Sequence, residues 1–547
     1  MASKPYLPTH STKRQVAAEP PETVDVAIIG CGVSSLMAGA RLAKQGLSVA
    51  LFDPHYVAGG CTTQFARGSG DQRYCFDIGL HYLGDCDRGG LIPKLLQSVA
   101  VDVEFLPMDP EGFDVFVFPD LTFRFPAHRD LYRQRLVELF PAEKKGIDRY
   151  LRLVDEVTRF MSHFGIEGAR PGPRLLFHVA LHGRLLARVQ AATIGEFLDT
   201  CTSDEQLRAI LLGQHGIYAL PPSETSALLH AGATAHYLRG GYYPKGGGQV
   251  VSDRLVEAIE RRGGTIHLRR GVDRILVEKG RAVGIRTEAR NGQQHQIRSR
   301  AVLSGADLTH TLLDLIAPGD LPPRWRRRTR RFQMAGALFM TYLGVAGDMA
   351  EHNMGVSNYW QFDDYDFDRA FDRLRAHEQI ETYGCYITSA SLKDPQTRSH
   401  APAGFSNVEI MCMVDGDPAK WGVAPAQVLA GSYRKQERYR RIKQQLEDDM
   451  IERLDRVFPG TAAKVAFRES ATPVSHTRFT RAAGGTGYGL ASSPEQFGER
   501  RPGYRGPIDG MFLCGASTRA GHGIVGAMLG GYQAARIVSD TLGSGRS

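Results

Sequence analysis

Two glycines in one short turn, followed by an acid 23 residues after the first, are the chemically most telling residues of this 547-residue chain. Gly30-Cys31-Gly32-Val33-Ser34-Ser35 follows VDVAII at 24–29, an apolar β-branched run that reads as a buried strand. In LMAGARLAKQG at 36–46, Leu36, Ala40 and Ala43 keep helical spacing and Gly46 suits a helix stop. A second apolar run, LSVALF at 47–52, ends in Asp53. Strand, glycine turn, helix, strand and terminal acid compose a dinucleotide-binding βαβ unit. Gly30 and Gly32 let backbone N–H groups meet a pyrophosphate at a helix N-terminus, which Val33 and Ser34 open. Asp53 can accept hydrogen bonds from an adenosine ribose and would repel a 2′-phosphate. The third glycine of the pattern is replaced by Ser35. That position serves helix–strand packing rather than phosphate contact, so a small side chain is compatible with it.

Other elements must converge on that turn. Gly59-Gly60 is a second point of close backbone approach, followed by the glycine-studded GSGDQRYCFDIGLHYLGD at 68–85. YYPKGGG at 242–248 leads into QVVSDRLVEAIERRGG, where Val251, Leu255 and Ile259 recur at i, i+4 and i+8. The segments TIHL, GVDRILVEKGRAVGIRTEA and QIRSRAVLSGAD then read as strands, with Lys279-Gly280 as a turn. Finally GMFLCG at 510–515 reads as a strand whose loop opens a C-terminal helix at IVGAMLGGYQAARIVSDTL. Glycine totals 61, against about 38 at ordinary usage of roughly 7%. Much of the excess lies in these clusters, so close approach to a large ligand explains it better than flexibility does.

Composition excludes other classes. With 42% hydrophobic and 23% charged residues the chain is globular. Its eight cysteines show neither Cys-x-x-Cys spacing nor a Cys/His ligand run, which predicts a reducing compartment, a cytoplasmic location and no metal site. No G-x-S-x-G, H-E-x-x-H or Walker loop occurs, so hydrolase and nucleotide-hydrolysing readings have no footing. Residues 1–23 read as a disordered polar leader, and no apolar run is long enough to span a membrane. The net charge of +8 is clumped in RLLFHVALHGRLLAR at 174–188 and PRWRRRTRRF at 323–332. The first suits an interfacial helix, with Leu175, Val179, Leu186 and Val189 near one face. In the second, Arg326, Arg327, Arg328, Arg330 and Arg331 beside Trp325 suit anionic headgroups, giving an expectation of peripheral membrane association. No nucleic-acid-binding module accompanies them, so nucleic acid is not an expected partner.

FDIGLHYLGD at 76–85, PPSETSALLHAGATAHYLRGGYYPKGG at 221–247 and GASTRAGHGIVGAMLGG at 515–531 together resemble the phytoene desaturase, carotenoid isomerase and retinol saturase family, above all its retinol saturase-like branch. The resemblance runs from 24 to 542 and is loosest over 308–480. It implies an α/β fold with a Rossmann-like FAD-binding domain interleaved with a mixed α+β substrate domain. The FAD domain would comprise 24–107, 240–307 and 481–542; the substrate and membrane-facing domain would comprise 108–239 and 308–480. It also implies FAD as cofactor, held at Gly30, Gly32, Val33, Ser34, Ser35, Asp53, Gly59, Gly60, Val272, Gly515, Gly523, Ile524 and Val525, with Val272 over the adenine. The helix opening at Gly523 would point at the flavin pyrimidine edge, where its positive end stabilises developing negative charge. The implied activity is oxidoreduction of carbon–carbon bonds in a hydrophobic polyene, a carotenoid or retinoid-like isoprenoid, by saturation, desaturation or isomerisation. An electron partner such as a quinone, dioxygen or a reductase is then required.

Such chemistry needs no nucleophile or metal, because the cofactor carries the redox step; a protein group helps with a proton on the neighbouring carbon. The candidates are His81, Tyr82, His236, Tyr237, Tyr243, Lys245 and His522, with His81 and His522 favoured for their glycine-rich surroundings. For each the alternative is a hydrogen-bonded packing residue. Cys514 reads as a buried thiol rather than a covalent flavin link. Two other functions stay open: a flavin-free prenyl- or lipid-binding escort protein on the same fold, and a flavin amine oxidase. The intact glycine features argue against the first. The absence of an aromatic residue in AGHGIVGAMLGG, where a cation cage would need one, argues against the second.

Overall fold

In a computed structural model, residues 19–163, 166, 177, 183, 185–290, 292–376 and 380–543 are described. Most of the 174–189 segment and residues 1–18 therefore lie outside the described residues. The first strands are β1 (Thr23–Ile29), β2 (Val49–Asp53), β3 (Gln64–Arg67), β4 (Tyr74–Asp77), β5 (Phe105–Pro107), β6 (Asp114–Val117) and β7 (Thr122–Phe125). Then come β8 (Tyr242–Pro244), β9 (Thr265–Leu268), β10 (Val272–Glu278), β11 (Arg281–Thr287) and β12 (Gln296–Ser304). The last are β13 (Ala337–Ala346), β14 (Asn358–Gln361), β15 (Cys385–Thr388), β16 (Phe405–Val414), β17 (Val465–Ala471) and β18 (Met511–Leu513).

Among the described residues two seven-stranded sheets hold fourteen of them, while β3 pairs with β4 and β5 with β8. The first runs β10-β11-β12-β1-β2-β9, with β18 joining the far end of β12. Its centre is parallel: β1 pairs with both β2 and β12, β2 with β9, and β12 with β18. Parallel strands are covered on both faces, so they read as continuous apolar runs rather than alternating ones. Accordingly Val26, Ala27 and Ile28 are all fully buried. The helix Val33–Lys44 packs Leu36, Ala40 and Ala43 inward, as their spacing predicts. Against it lie the helix Gln249–Glu260 and the C-terminal helix Gly523–Gly543.

The second sheet has the order β17-β13-β16-β15-β14-β6-β7 and is antiparallel except where β6 meets β14. The long apolar run from Ala337 is β13, flanked by β16 and β17. The 21-residue helix Glu437–Val457 covers this sheet with Leu446, Met450 and Leu454. Helices Arg129–Leu139, Lys144–Ser162, Ile194–Asp199, Glu205–Leu211 and Ala227–Tyr237 build a third apolar cluster around Phe116, Tyr150 and Leu207. Among the described residues no helix is long and apolar enough to cross a membrane.

Candidate functional site

The carboxyl ends of β1, β2, β12 and β18 run into Gly30, Asp53, Gly305 and Gly515, so four loops converge at one edge of the parallel sheet, where ligands bind in open α/β folds. Gly30 takes φ +90°, a left-handed turn that a side chain would strain, and its N–H donates to Phe52 O at 2.8 Å. Gly32 is the N-cap of the first helix, with no capping side chain and no acid in the first turn. The first backbone N–H groups of that helix thus face outward with their positive end uncompensated. A Cβ built on Gly32 meets nothing within 4 Å, which leaves the space over those donors open.

The second glycine pair docks on the first. Gly59 N–H donates to Cys31 O at 2.7 Å, and Gly32 and Gly59 form an isolated bridge. A Cβ on Gly60 would come within 3.2 Å of Gly32 Cα. From the far end of the chain, Gly515 N–H donates to Ser34 Oγ at 2.8 Å. Asp53 is braced by Cys31 N–H at 2.6 Å and His55 N–H at 2.8 Å; burial pushes its carboxyl above the usual range against the pull of these donors. Arg269 and Arg270 donate to His55 O and Asp53 O at 2.8 and 2.9 Å, which brings Val272 at the start of β10 beside the end of β2. Gly523, Ile524 and Val525 form the opening turn of the C-terminal helix, again with no acid in it.

Ser35 is fully buried, and the missing glycine is found elsewhere. A Cβ on Gly305 would sit 2.1 Å from Ser35 Oγ and 2.9 Å from Cys514 Sγ. The space a glycine at 35 would have opened is supplied by Gly305 at the end of β12. Gly305→Ala should therefore overpack the joint and cost about 1–3 kcal/mol, and adding Ser35→Gly should return part of it. Urea midpoints of the two single variants and the double variant check this; strictly additive effects would refute the coupling. Cys514 itself is buried, and burial pushes its thiol up to about 11.

The fit of a flavin dinucleotide rests on these open donors and on one further group. Gln64, 1% exposed, leaves both its amide oxygen and its amide nitrogen without a partner among the described residues, beside the Gly247 turn. A buried amide with two orphan atoms is costly unless a ligand completes it. Nothing in the sequence around Gln64 distinguished it.

The proton candidates separate into two groups. Lys245 is half-exposed and pairs with Glu104 at 3.0 Å, and His236 Nε2 accepts Gly84 N–H at 3.1 Å. His522 Nδ1 lies 3.1 Å from Ser492 Oγ, which accepts from buried Arg501 at 3.2 Å; burial, helped by the Arg501 charge, pushes the ring down to about 3. The other group lies at the seam between the two sheets. His81 Nδ1 meets Glu409 Oε2 at 2.8 Å, and Tyr243 donates to Asp77. Tyr82 donates to Asp114 at 3.0 Å and its ring stacks on Tyr237 at 4.7 Å. Sequence reasoning missed Glu409, Lys393, Asp114 and Arg501. Glu409 left one signal: a lone carboxylate inside the apolar run FSNVEIMCMV.

A parallel sheet whose loops build an uncapped anion cradle has the form of a dinucleotide-binding fold. The family model for flavin-containing amine oxidoreductases matches residues 34–539, and the chain belongs to that family, with FAD as its cofactor. All-trans-retinol 13,14-reductase of Danio rerio is 24% identical over 548 residues, covering 96% of this chain and 87% of the relative. Prolycopene isomerase 1, a chloroplastic protein of an Oncidium hybrid cultivar, is 23% identical over 535 residues, 96% of this chain and 85% of the relative. An oxidoreductase from Methanosarcina mazei shares the fold, with a TM-score of 0.61 at 18% identity, covering 95% of this chain and 100% of that one.

Proposed function

We propose that this chain reduces a carbon–carbon double bond of a hydrophobic polyene, a retinoid- or carotenoid-like isoprenoid, as an FAD-dependent oxidoreductase acting on CH–CH groups. The observation that carries the reading is the end-to-end likeness to all-trans-retinol 13,14-reductases, 24% identical across 96% of this chain in one case and 26% across 94% in the human relative. Bound FAD supplies the two-electron chemistry. Gly30, Gly32, Val33, Ser34 and Gly59-Gly60 hold its pyrophosphate, Asp53 its ribose and Val272 its adenine. Gly515, Gly523, Ile524 and Val525 hold the flavin end. Ser35 closes the helix onto the sheet. Segments 24–107, 240–307 and 481–542 form the cofactor domain, and 108–239 with 308–480 form the substrate domain.

The aromatic wall at the seam supports an apolar, conjugated substrate. Tyr82, Tyr237, Phe113, Tyr386 and Trp360 form a chain of neighbouring rings with centroids 4.6–6.3 Å apart, and all but Tyr237 are at least nine-tenths buried. Such a wall excludes water from the reacting bond and aligns a flat chain. The test is anaerobic mixing of chemically reduced enzyme with retinoids and carotenoids, following flavin reoxidation and polyene absorbance together. Loss of polyene absorbance matched to flavin oxidation is expected; no change with any polyene refutes the reading. A polyene shift with no net flavin oxidation would indicate isomerisation, which the prolycopene isomerase likeness supports as the second reading.

A substrate this insoluble is collected at a membrane. Arg324, Arg327, Arg330 and Arg331 are exposed on and after the helix Pro323–Thr329, whereas Arg326 and Arg328 are tied to the carbonyls of Pro318 and Arg500. At about 1 kcal/mol per basic residue, changing all four exposed arginines to Glu should weaken binding to phosphatidylserine vesicles by more than about 100-fold. Flotation of the parent protein with neither neutral nor anionic vesicles would refute peripheral association.

A further inference from the structure

Glu409 stands in the middle of β16, 1% exposed, directly opposite Tyr342 of β13 and Thr388 of β15. One of its oxygens accepts Asp77 N–H at 2.6 Å; the other meets His81 Nδ1 at 2.8 Å. His81 is 7% exposed, and its second nitrogen, Nε2, is buried with no hydrogen-bond partner among the described residues. A buried imidazole held at one nitrogen and bare at the other is a group waiting for a ligand atom. Beside it is the Tyr386 ring, 5.9 Å away, part of the aromatic wall.

We propose that His81 and Glu409 form the proton-delivering pair of the active site, with His81 Nε2 the donating atom and Glu409 the store behind it. The inference rests on the polyene-reduction reading for its acceptor carbon. In a two-electron reduction one carbon of the double bond takes a hydride, whose electrons an external reductant supplies through the flavin, and its neighbour takes a proton. Glu409 holds its proton on Oε2 and donates to Nδ1, so the imidazole carries its hydrogen on Nε2. As Nε2–H passes to carbon, the Glu409 proton moves to Nδ1. The imidazole ends neutral and Glu409 ends as a carboxylate. The substrate gains one hydride and one proton; solvent later protonates Nε2, and the Nδ1 proton returns to Glu409.

The surroundings set that protonation state. Glu409 is faced by Tyr342 on β13, Tyr386 on β15, Asp77 and Cys75 on β4, Tyr243 on β8, and His81, Lys393 and His400 from loops and a short helix. The tyrosines and the thiol are pushed up by burial and stay neutral. That leaves Asp77 and Glu409 sharing a dry site with the cation Lys393, which donates to His81 O at 2.7 Å and also faces buried Asp114, itself hydrogen-bonded by Tyr82, Gln214 and Asn358. Tyr243 and Gly248 N–H stabilise charge on Asp77. The remaining proton therefore resides on Glu409, whose carboxyl burial pushes up to about 8, while burial pushes His81 down to about 4. Lys393 then stabilises the carboxylate that delivery creates.

Glu409→Gln keeps a donor to Nδ1 but cannot pass a proton. It should retain FAD and KM, lose about 100-fold or more in kcat, and lose the alkaline fall in activity that the parent shows as pH rises through about 8. Infrared difference spectra across that pH range should show a protonated-carboxyl band in the parent that is absent from the variant. Full kcat with an unchanged pH profile, or a carboxyl band surviving in Glu409→Gln, overturns the pair. If the parent turns over no polyene, the substrate reading fails while the infrared band still decides the pair. If Glu409→Gln does not fold, Lys393→Met should move the band's midpoint to higher pH; an unmoved midpoint overturns the proposal.

Discussion

A Gly32→Val variant is expected to fold as the parent does and to purify without colour. Gly32 has φ −67° and ψ 163°, extended backbone that valine favours, and its added Cβ meets no atom within 4 Å. The added Cβ therefore clashes with nothing, and the fold loses about 1 kcal/mol from exchanging glycine for a poorer N-cap residue. The side chain instead fills the space over the uncapped end of the first helix, the site proposed for the pyrophosphate. Losing two charge-assisted hydrogen bonds at about 1.5–3 kcal/mol each lowers FAD affinity by at least about 100-fold. Flavin absorbance per chain and the melting temperature of apo-protein report the two halves separately. Gly30→Val, at φ +90°, should lose stability as well as flavin. A yellow Gly32→Val protein with full flavin content would mean that the phosphates lie elsewhere.

Arg501→Leu is expected to be the most destabilising single change, at about 3 kcal/mol or more. Arg501 is 2% exposed. Its guanidinium donates to Gln496 O and Ala516 O, each at 2.8 Å, to Ser492 Oγ at 3.2 Å and to Leu490 O. It thereby fastens the 490–496 loop to the loop that follows β18. Leucine leaves those carbonyls buried and unpaired, at about 1–3 kcal/mol apiece. Lysine lacks the planar fork and should recover little. Burial pulls the group down to about 10, so it remains a cation at neutral pH and the effect should not vary there. The urea midpoint measures it; a shift below about 1 kcal/mol would show that water reaches the loop.

The first βαβ unit was legible because its signals are local. Strand, glycine turn, helix and Asp53 occupy one short stretch, and their spacing alone specifies the βαβ unit. The start of the C-terminal helix was readable for the same reason. The seam was not. Asp77, His81, Lys393 and Glu409 come from distant stretches, and each sits in a local pattern that a plain core strand or loop would also show. The pairing of β6 with β14, which joins 114–117 to the second sheet, has no sequence signal of its own. Compensation was equally hidden: Ser35 looked like a weakened motif until Gly305 was found behind it. Arg501 reads as one arginine among many until its burial is known.

The hydrogen bond from Gly515 to Ser34 has a consequence for biosynthesis. On the ribosome the first helix emerges early, but β18 and the C-terminal helix that cover it are made last. In between, the nascent chain must build the whole second sheet and its helices while the apolar flank of Leu36 and Ala40 lacks its final cover. Chains that fold through such long-range closure expose sticky intermediates. The cradle is complete only when almost every residue has been translated, so flavin capture belongs to the released chain. Premature termination anywhere before residue 511 should yield a protein without flavin, however much of the rest has folded.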